Sequence, residues 1–261
     1  MSSSQADLAL LRWYVEMGAD EAIGWEAPDR TAAKPPPARP VAVVPPATPI
    51  VPEPTSRATP PATIDGDAVA ATSLAELEAA VRAFEGCGLK RTATNTVFAD
   101  GVPGAPLMII GEAPGADEDR IGKPFVGRSG QLLDRMLAAI GFSRQTNTYI
   151  TNILFWRPPG NRKPTGDEIA ACLPFVWRHI ALGRPRLVLL SGGTATAALL
   201  DRSEGITRLR GRWFELAVPG LETPVSALAT YHPSFLLRTP GRKSEAWRDL
   251  LAIEDRFAEG S

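Results

Sequence analysis

The body of the chain alternates between two hydrophobic patterns. Five short segments are rich in apolar residues and have the length of buried β-strands: 107–111, 148–154, 186–192, 211–216 and 224–232. Stretches with apolar residues at helical spacing lie between most of them, and another closes the chain around 244–257. This alternation predicts an α/β fold, a three-layer α/β/α domain whose central sheet is mainly parallel. Ligands of such folds bind at the carboxyl ends of the strands.

Two helix starts carry capping boxes. Ser73 with Glu76 precedes one apolar stripe, and Thr165 with Glu168 precedes another. In each pair, the hydroxyl and the carboxylate can satisfy backbone N–H groups of the first turn. We therefore predict helices that begin just after Ser73 and Thr165.

Prolines divide the chain unevenly. Twelve of the 25 prolines lie within residues 28–61, a density that no packed element tolerates. We predict a short amphipathic helix within residues 1–27, an extended proline-rich linker over 28–66, and a globular domain over 67–261. The N-terminal helix either packs on the domain or docks a partner protein at the end of the linker.

Charge and cysteine content exclude several classes of protein. Twenty-eight basic and 29 acidic residues give a net charge of −1, which excludes a histone-like or polybasic role. Any contact with nucleic acid must come from local placement of charge. Two cysteines, no signal-peptide pattern and no long apolar run predict a cytoplasmic protein with no membrane segment.

Three predicted strands end in turns that carry unusual polar residues. Four carboxylates lie within 112–119, Gly, Pro and basic residues fill 157–163, and His232 begins a His-Pro-Ser turn. A phosphate-binding loop is excluded, because the first turn lacks the required glycine pattern and its carboxylates repel phosphate. Each turn alone is common, but three at strand ends in one α/β domain indicate a site.

Four segments, taken in order, resemble the family 4 uracil-DNA glycosylases of bacteria and archaea. They are GEAPGADEDRIGKPFVGRSGQLLDRML, YITNILFWRPPGNRKPTGDEIAAC, GITRLRGRWFE and YHPSFLLR, within roughly residues 81–252. The resemblance implies a bacterial, monomeric repair enzyme that extrudes deoxyuridine from DNA and hydrolyses its N-glycosidic bond, leaving an abasic site. The alternative is a non-catalytic module that binds DNA and senses uracil or abasic sites.

The resemblance assigns the groups that contact the base. Phe125 matches the family's stacking aromatic residue, and Ala113 occupies a position where the wider superfamily often has a catalytic Asp. Asn152 matches the residue that reads the uracil edge, since one amide can donate to O4 and accept from N3–H. His232 matches the histidine that donates to O2 of the departing base.

The residue that holds the attacking water is left open between three family-matched positions, Glu112, Glu118 and Asn161. A carboxylate near C1′ also stabilises positive charge on the sugar without acting as a base. Glu118 could alternatively block the C5 methyl group of thymine. Both glutamates are therefore predicted as catalytic residues, with their roles undivided.

Phosphate contacts are expected from polar residues in or beside the same turns: Arg128, Ser129, Arg162, Arg210, Ser234 and Arg238. One apolar residue of 235–237 is expected to fill the gap left by the extruded nucleotide. The other histidine, His179, lies mid-helix and is predicted to be structural.

The chain departs from the family at its metal site. Relatives usually bind a [4Fe-4S] cluster with four cysteines, and here only Cys87 and Cys172 match two of them. Phe84 and Trp156 occupy the other two positions. Two thiolates cannot supply four-cysteine ligation, so we predict no cluster, no other metal and no cofactor.

Overall fold

The computed structural model describes residues 70–259, and within them six strands form one sheet. The predicted N-terminal helix (1–27) and the predicted linker (28–66) lie outside the described residues, so the proposed domain boundary stays a prediction. The strands are β1 (Asp100–Gly101), β2 (Leu107–Gly111), β3 (Thr148–Asn152), β4 (Leu187–Ser191), β5 (Trp213–Leu216) and β6 (Val225–Thr230).

The sheet is mainly parallel, as predicted. Its order is β1-β3-β2-β4-β6-β5; the four inner strands are parallel to one another, and β1 and β5 pair antiparallel at the two edges. Every residue of β2, β3 and β4 is buried. Because helices cover both faces, these strands read as continuous apolar runs rather than as alternating ones.

Eight α-helices of the described residues surround the sheet: α1 (Leu74–Ala83), α2 (Ala116–Ile121), α3 (Arg128–Ala138), α4 (Gly166–Gly183), α5 (Gly193–Leu200), α6 (Ile206–Leu209), α7 (Pro233–Arg238) and α8 (Lys243–Ala258). Short 3₁₀ turns lie at Gly88–Arg91, Pro159–Asn161 and Pro240–Arg242. Helix α1 packs on α4, and α3 packs on α7 and α8. The three-layer α/β/α architecture is confirmed. None of the helices within residues 70–259 is long and apolar enough to cross a membrane.

The two predicted helix caps differ in detail. The box at the start of α4 is complete, with Thr165 and Glu168 each accepting from the other's backbone N–H. At α1, the Ser73 hydroxyl accepts from the N–H of Glu76, but the Glu76 carboxylate binds the N–H and hydroxyl of Thr72 instead. Both helices start where the sequence predicts.

His179 lies inside the core. Its Nε2 is 2.7 Å from the hydroxyl of Tyr149, and its ring stacks on Phe98 with centroids 4.4 Å apart. Burial lowers the pKa of His179 to about 3, so the ring is neutral at pH 7. These contacts are those of a structural residue.

Candidate active site

A cavity of about 730 Å³ opens where the parallel strands end. The turns after β2, β3 and β6, which the sequence singled out, all contribute to its lining, together with the turn after β4. The lining includes the predicted residues Glu112, Ala113, Glu118, Phe125, Arg128, Ser129, Asn152, Asn161, Arg162, His232, Ser234 and Arg238. Of the predicted set, Arg210 alone is missing from it.

Gly111, the last residue of β2, lies beside Asn152 and Phe125, two of the residues predicted to contact the base. It pairs with Asn152 on β3, so a side chain on either points to the same face of the sheet. A Cβ atom on Gly111 would overlap Oδ1 of Asn152 and lie 2.5 Å from Cζ of Phe125. The Asn152 amide is 2 % exposed, and its Oδ1 accepts no hydrogen bond from the described residues. The missing side chain of Gly111 therefore creates the space in which Asn152 and Phe125 meet.

Phe125 has an unusual backbone. Its φ of 52° lies in the left-handed region, which is costly for a bulky residue and persists only where the surroundings impose it. Glu118 provides one constraint, since its Oε1 accepts from the N–H groups of Val126 and Gly127, both at 2.9 Å. Its Oε2 accepts from the N–H of Gly115 at 3.1 Å, so both carboxylate oxygens are occupied.

Arg144 holds the same turn from the other side. Its guanidinium donates to the backbone carbonyls of Pro124 at 3.1 Å and Phe125 at 2.7 Å. Ion pairs with Asp100 and Asp134, both at 2.9 Å, fix the guanidinium, and only 9 % of the side chain is exposed. Arg144 was not among the residues predicted from sequence, because nothing near it in the chain distinguishes it from a solvated arginine.

His232 is held in one tautomer. The backbone N–H of Ser234 donates to its Nδ1 at 3.1 Å, which places the proton of the neutral ring on Nε2. Burial, and secondarily the charge of Arg238, lowers the pKa of His232 to about 4. Its ring centroid lies 5.4 Å from that of Phe125. Gly192 permits this position, since a Cβ there would lie 2.9 Å from Cβ of His232.

Glu112 and Glu118 differ in what they bind. Thr194, in the first turn of α5, donates its hydroxyl to Oε2 of Glu112. Among the described residues, nothing hydrogen bonds to Oε1 of Glu112, and the residue lines the cavity. Glu112 thus offers a free carboxylate oxygen, whereas Glu118 has none.

Asn161 and Arg162 have protein partners at the rim. Oδ1 of Asn161 accepts from Nε of Arg157 at 2.8 Å. Arg162 forms two hydrogen bonds with Glu168, at 2.9 and 2.6 Å, and this pair lowers the pKa of Glu168 to about 2. Part of the Arg162 charge is therefore already compensated.

Arg210 lies behind the site rather than in it. Its guanidinium ion-pairs with Asp249, with Nε 3.0 Å from Oδ2, and donates to the backbone carbonyl of Glu245 at 2.7 Å. Thr230, at the end of β6, donates to the same Asp249 at 2.7 Å. This network supports the strand that leads into Tyr231 and His232, so the structure gives Arg210 a supporting position where the sequence suggested a phosphate contact.

The four positions that the resemblance matches to cluster cysteines lie in or against one hydrophobic cluster: Phe84, Cys87, Trp156 and Cys172. Cys87 and Cys172 are both buried and unpaired by a disulfide, and their mutual influence lowers the pKa of Cys87 to about 7 and raises that of Cys172. The Phe84 ring lies 4.9 Å from that of Phe175 and 6.4 Å from that of Trp156. No group of three or more potential metal ligands exists within residues 70–259. Two thiols among packed aromatic rings do not fit a four-cysteine cluster.

Comparisons with known proteins identify the family of this chain. The family model "Uracil DNA glycosylase superfamily" matches residues 98–251. A type-4 uracil-DNA glycosylase of Pyrobaculum aerophilum is 35% identical over 196 residues, which span 72% of this chain and 98% of the relative. The type-4 enzyme of Saccharolobus solfataricus is 39% identical over 183 residues, which span 68% of this chain and 83% of the relative. The type-4 enzyme of Thermotoga maritima is 36% identical over 176 residues, which span 67% of this chain and 86% of the relative. The chain therefore belongs to the uracil DNA glycosylase superfamily.

Proposed function

We propose that this chain removes uracil from DNA by hydrolysing the N-glycosidic bond of an extruded deoxyuridine. The observation that carries the proposal is the buried, unpartnered Oδ1 of Asn152 beside Phe125, in a cavity at the strand ends. A buried polar atom without a partner is costly unless a ligand supplies one. The names of the similar type-4 enzymes support the same substrate.

Asn152 selects the base. Its Oδ1 would accept from N3–H of uracil while its amide NH₂ donates to O4. Cytosine presents an acceptor at N3 and a donor at N4, so both contacts would oppose like with like. In a site this buried, the unpaired groups cost enough to reject cytosine. Phe125 stacks on the extruded ring, and small Ala113 leaves room beside it.

His232 stabilises the leaving base. When the C1′–N1 bond breaks, its electron pair stays on the base, and negative charge spreads onto O2. The neutral ring would donate from Nε2–H to O2 without needing protonation, in keeping with the lowered pKa of His232. A donor fixed before the reaction stabilises the developing charge with little reorganisation.

Glu112 acts on the attacking water. Its free oxygen would hold the water whose oxygen bonds to C1′, and its charge favours the cationic sugar of the transition state. Asn161 stands as a second contact to that water. Glu118 is better assigned as a positioning residue, because its three accepted backbone N–H bonds hold the Phe125 turn.

DNA is held at the rim of the cavity. Arg128 and Ser129 open helix α3, where free backbone N–H groups favour a phosphate, and Ser234 and Arg238 lie in the first turn and at the end of α7. Arg162 would join them by sharing its charge with Glu168. Leu237 is 37 % exposed, whereas its neighbour Leu236 is fully buried, so Leu237 is the wedge that fills the gap in the stack.

The remaining proposals concern the enzyme's setting. We propose a monomer that works without a metal cluster in the bacterial cytoplasm, with a protein partner for the helix predicted within residues 1–27. Two cysteines that form no disulfide suit a reducing compartment. Colourless protein without stoichiometric iron is expected after purification. A broad visible absorption band with bound iron would refute the cluster-free assignment.

The test of activity uses the full chain and a duplex with one uracil, followed by alkaline cleavage at abasic sites. Strand scission is expected with the unmodified chain, and Asn152→Ala and His232→Ala should each lose most of it. If the unmodified chain binds this duplex tightly but produces no scission, it is a uracil-sensing module instead of an enzyme. Scission at equal rates in all three proteins would overturn the residue assignments.

A further inference from the structure

Ser191, the last residue of β4, has a hydroxyl that the assigned roles do not use. It lines the cavity, yet the residue is only 1 % exposed. Its Oγ makes no hydrogen bond with any described residue. An unpaired hydroxyl in the interior is unfavourable, and a ligand that enters the cavity can supply the missing partner.

The register of the sheet places Ser191 between Asn152, which reads the edge of the base, and the end of β6, which leads to His232. Asn152 pairs with Gly111 across β3 and β2, and Ser191 pairs with Thr230 across β4 and β6. The preceding residues Ile110 and Leu190 are also partners, so the four form one row. Since strands lie about 4.8 Å apart, Ser191 is about two strands from Asn152 and one from the end of β6.

Side chains of this row share a face of the sheet. The neighbouring row, Ile110, Leu190 and Ala229, belongs to the cluster with Val176 and Ile180 of α4, on the other face. Ser191 therefore points to the face that Asn152 shares with the Phe125 turn. His232 follows β6 by two residues, and it lies so near Gly192, the neighbour of Ser191, that a Cβ on Gly192 would be 2.9 Å from Cβ of His232.

We propose that the Ser191 hydroxyl donates a hydrogen bond to O2 of the extruded uracil, beside Nε2–H of His232. The inference rests on the proposed glycosylase function and adds a second donor to it. Along the base, N3–H and O4 face Asn152, so the adjacent O2 lies on the side of Ser191 and His232. Two donors at O2 share the negative charge that remains on the base when C1′–N1 breaks.

The test compares Ser191→Ala with the unmodified full chain on DNA that contains uracil or 5-fluorouracil. A hydrogen bond to a charged oxygen is worth about 10-fold to 100-fold in rate, and we expect kcat on uracil to fall by that factor with little change in KM. The fluorinated base bears negative charge more easily, so its kcat should fall clearly less. A purely structural defect would slow both substrates equally.

Controls separate folding from chemistry. Removing an unpaired hydroxyl should not lower the melting temperature, and Ser191→Gly should show the same dependence on the leaving base. Ser226→Ala removes a hydroxyl of β6 that donates to Glu215 of the edge strand β5, and it should leave both rates unchanged. Equal losses on the two substrates, or kcat within about twofold of the unmodified chain, overturns the role of Ser191. No scission by the unmodified chain instead overturns the glycosylase function itself.

Discussion

Replacing Gly111 with alanine should close the base pocket. The added Cβ would lie 2.5 Å from Cζ and 2.7 Å from Cε2 of Phe125, and it would overlap Oδ1 of Asn152. Carbon atoms make favourable contact at about 3.5–4 Å, so the ring or the amide must move by about 1 Å. The backbone of Gly111 is an ordinary strand conformation, so the effect comes from lost space alone.

The expected loss follows from that displacement. A misplacement of about 1 Å at a positioned group costs about 100-fold in rate, and overpacking costs about 1–3 kcal/mol of stability. We expect Gly111→Ala to fold, with kcat/KM on uracil DNA lowered by about 100-fold. Single-turnover cleavage of a uracil duplex measures the rate, and thermal melting measures the stability.

Gly166→Ala provides a matched control. It makes the same substitution in the first turn of α4, where a Cβ meets nothing within 4 Å. Its activity should equal that of the unmodified chain, and its stability should be equal or higher, since alanine favours helices. If Gly111→Ala keeps kcat/KM within about twofold of this control, the pocket does not depend on the missing side chain.

Three further predictions test the assigned roles. Glu112→Gln should lower kcat by about 100-fold or more with an unchanged melting temperature. Glu118→Gln should lower the melting temperature and raise KM, because the NH₂ of the new amide would face a backbone N–H whose hydrogen bond the carboxylate accepts. The opposite pattern in the two variants would reverse their assignments. Asn152→Asp should increase the rate of cytosine excision relative to that of uracil excision, since a carboxylate accepts a hydrogen bond from the cytosine N4 amine. Cleavage of a duplex with one mismatched cytosine measures this ratio, and an unchanged ratio contradicts the contact of Asn152 with the base edge. His232 and His179 have folded pKa values of about 4 and about 3, below the usual 6.5. The unfolded chain therefore binds more protons below pH 6.5, so the free energy of unfolding should fall as pH drops from about 6.5 to about 3; urea titrations across this range check it, and a flat profile contradicts the neutral assignments.

Local sequence predicted the elements well where a local signal exists. Helix α4 begins after Thr165 because the capping box acts within one turn. The strand predicted over 148–154 ends at Asn152. The prediction was two residues too long because Ile153 and Leu154, which follow the strand, are equally apolar and equally buried. Apolar character reports burial, and here it does not mark where pairing stops.

Site residues were predicted less evenly than the elements. The turns after β2, β3 and β6 could be found from sequence, because polar residues at strand ends of an α/β fold stand out. Glu112 and Glu118 look alike in sequence, and only their contacts separate a free carboxylate from one that binds three backbone N–H groups. Ser191 carries no motif at all, and its unpaired hydroxyl became visible only once its neighbours were placed.

The sequence by itself determined the class of fold, the strand ends that line the cavity, and a cysteine content of only two. These depend on periodicity, turn residues and residue identity, all of which are local. The tertiary structure decided the partners: Arg144 holds the Phe125 turn 19 residues away, and Arg210 is committed to Asp249 39 residues away. Side chains so distant in the chain interact only after the sheet has ordered the strands, because a charge finds its partner in space and not in sequence.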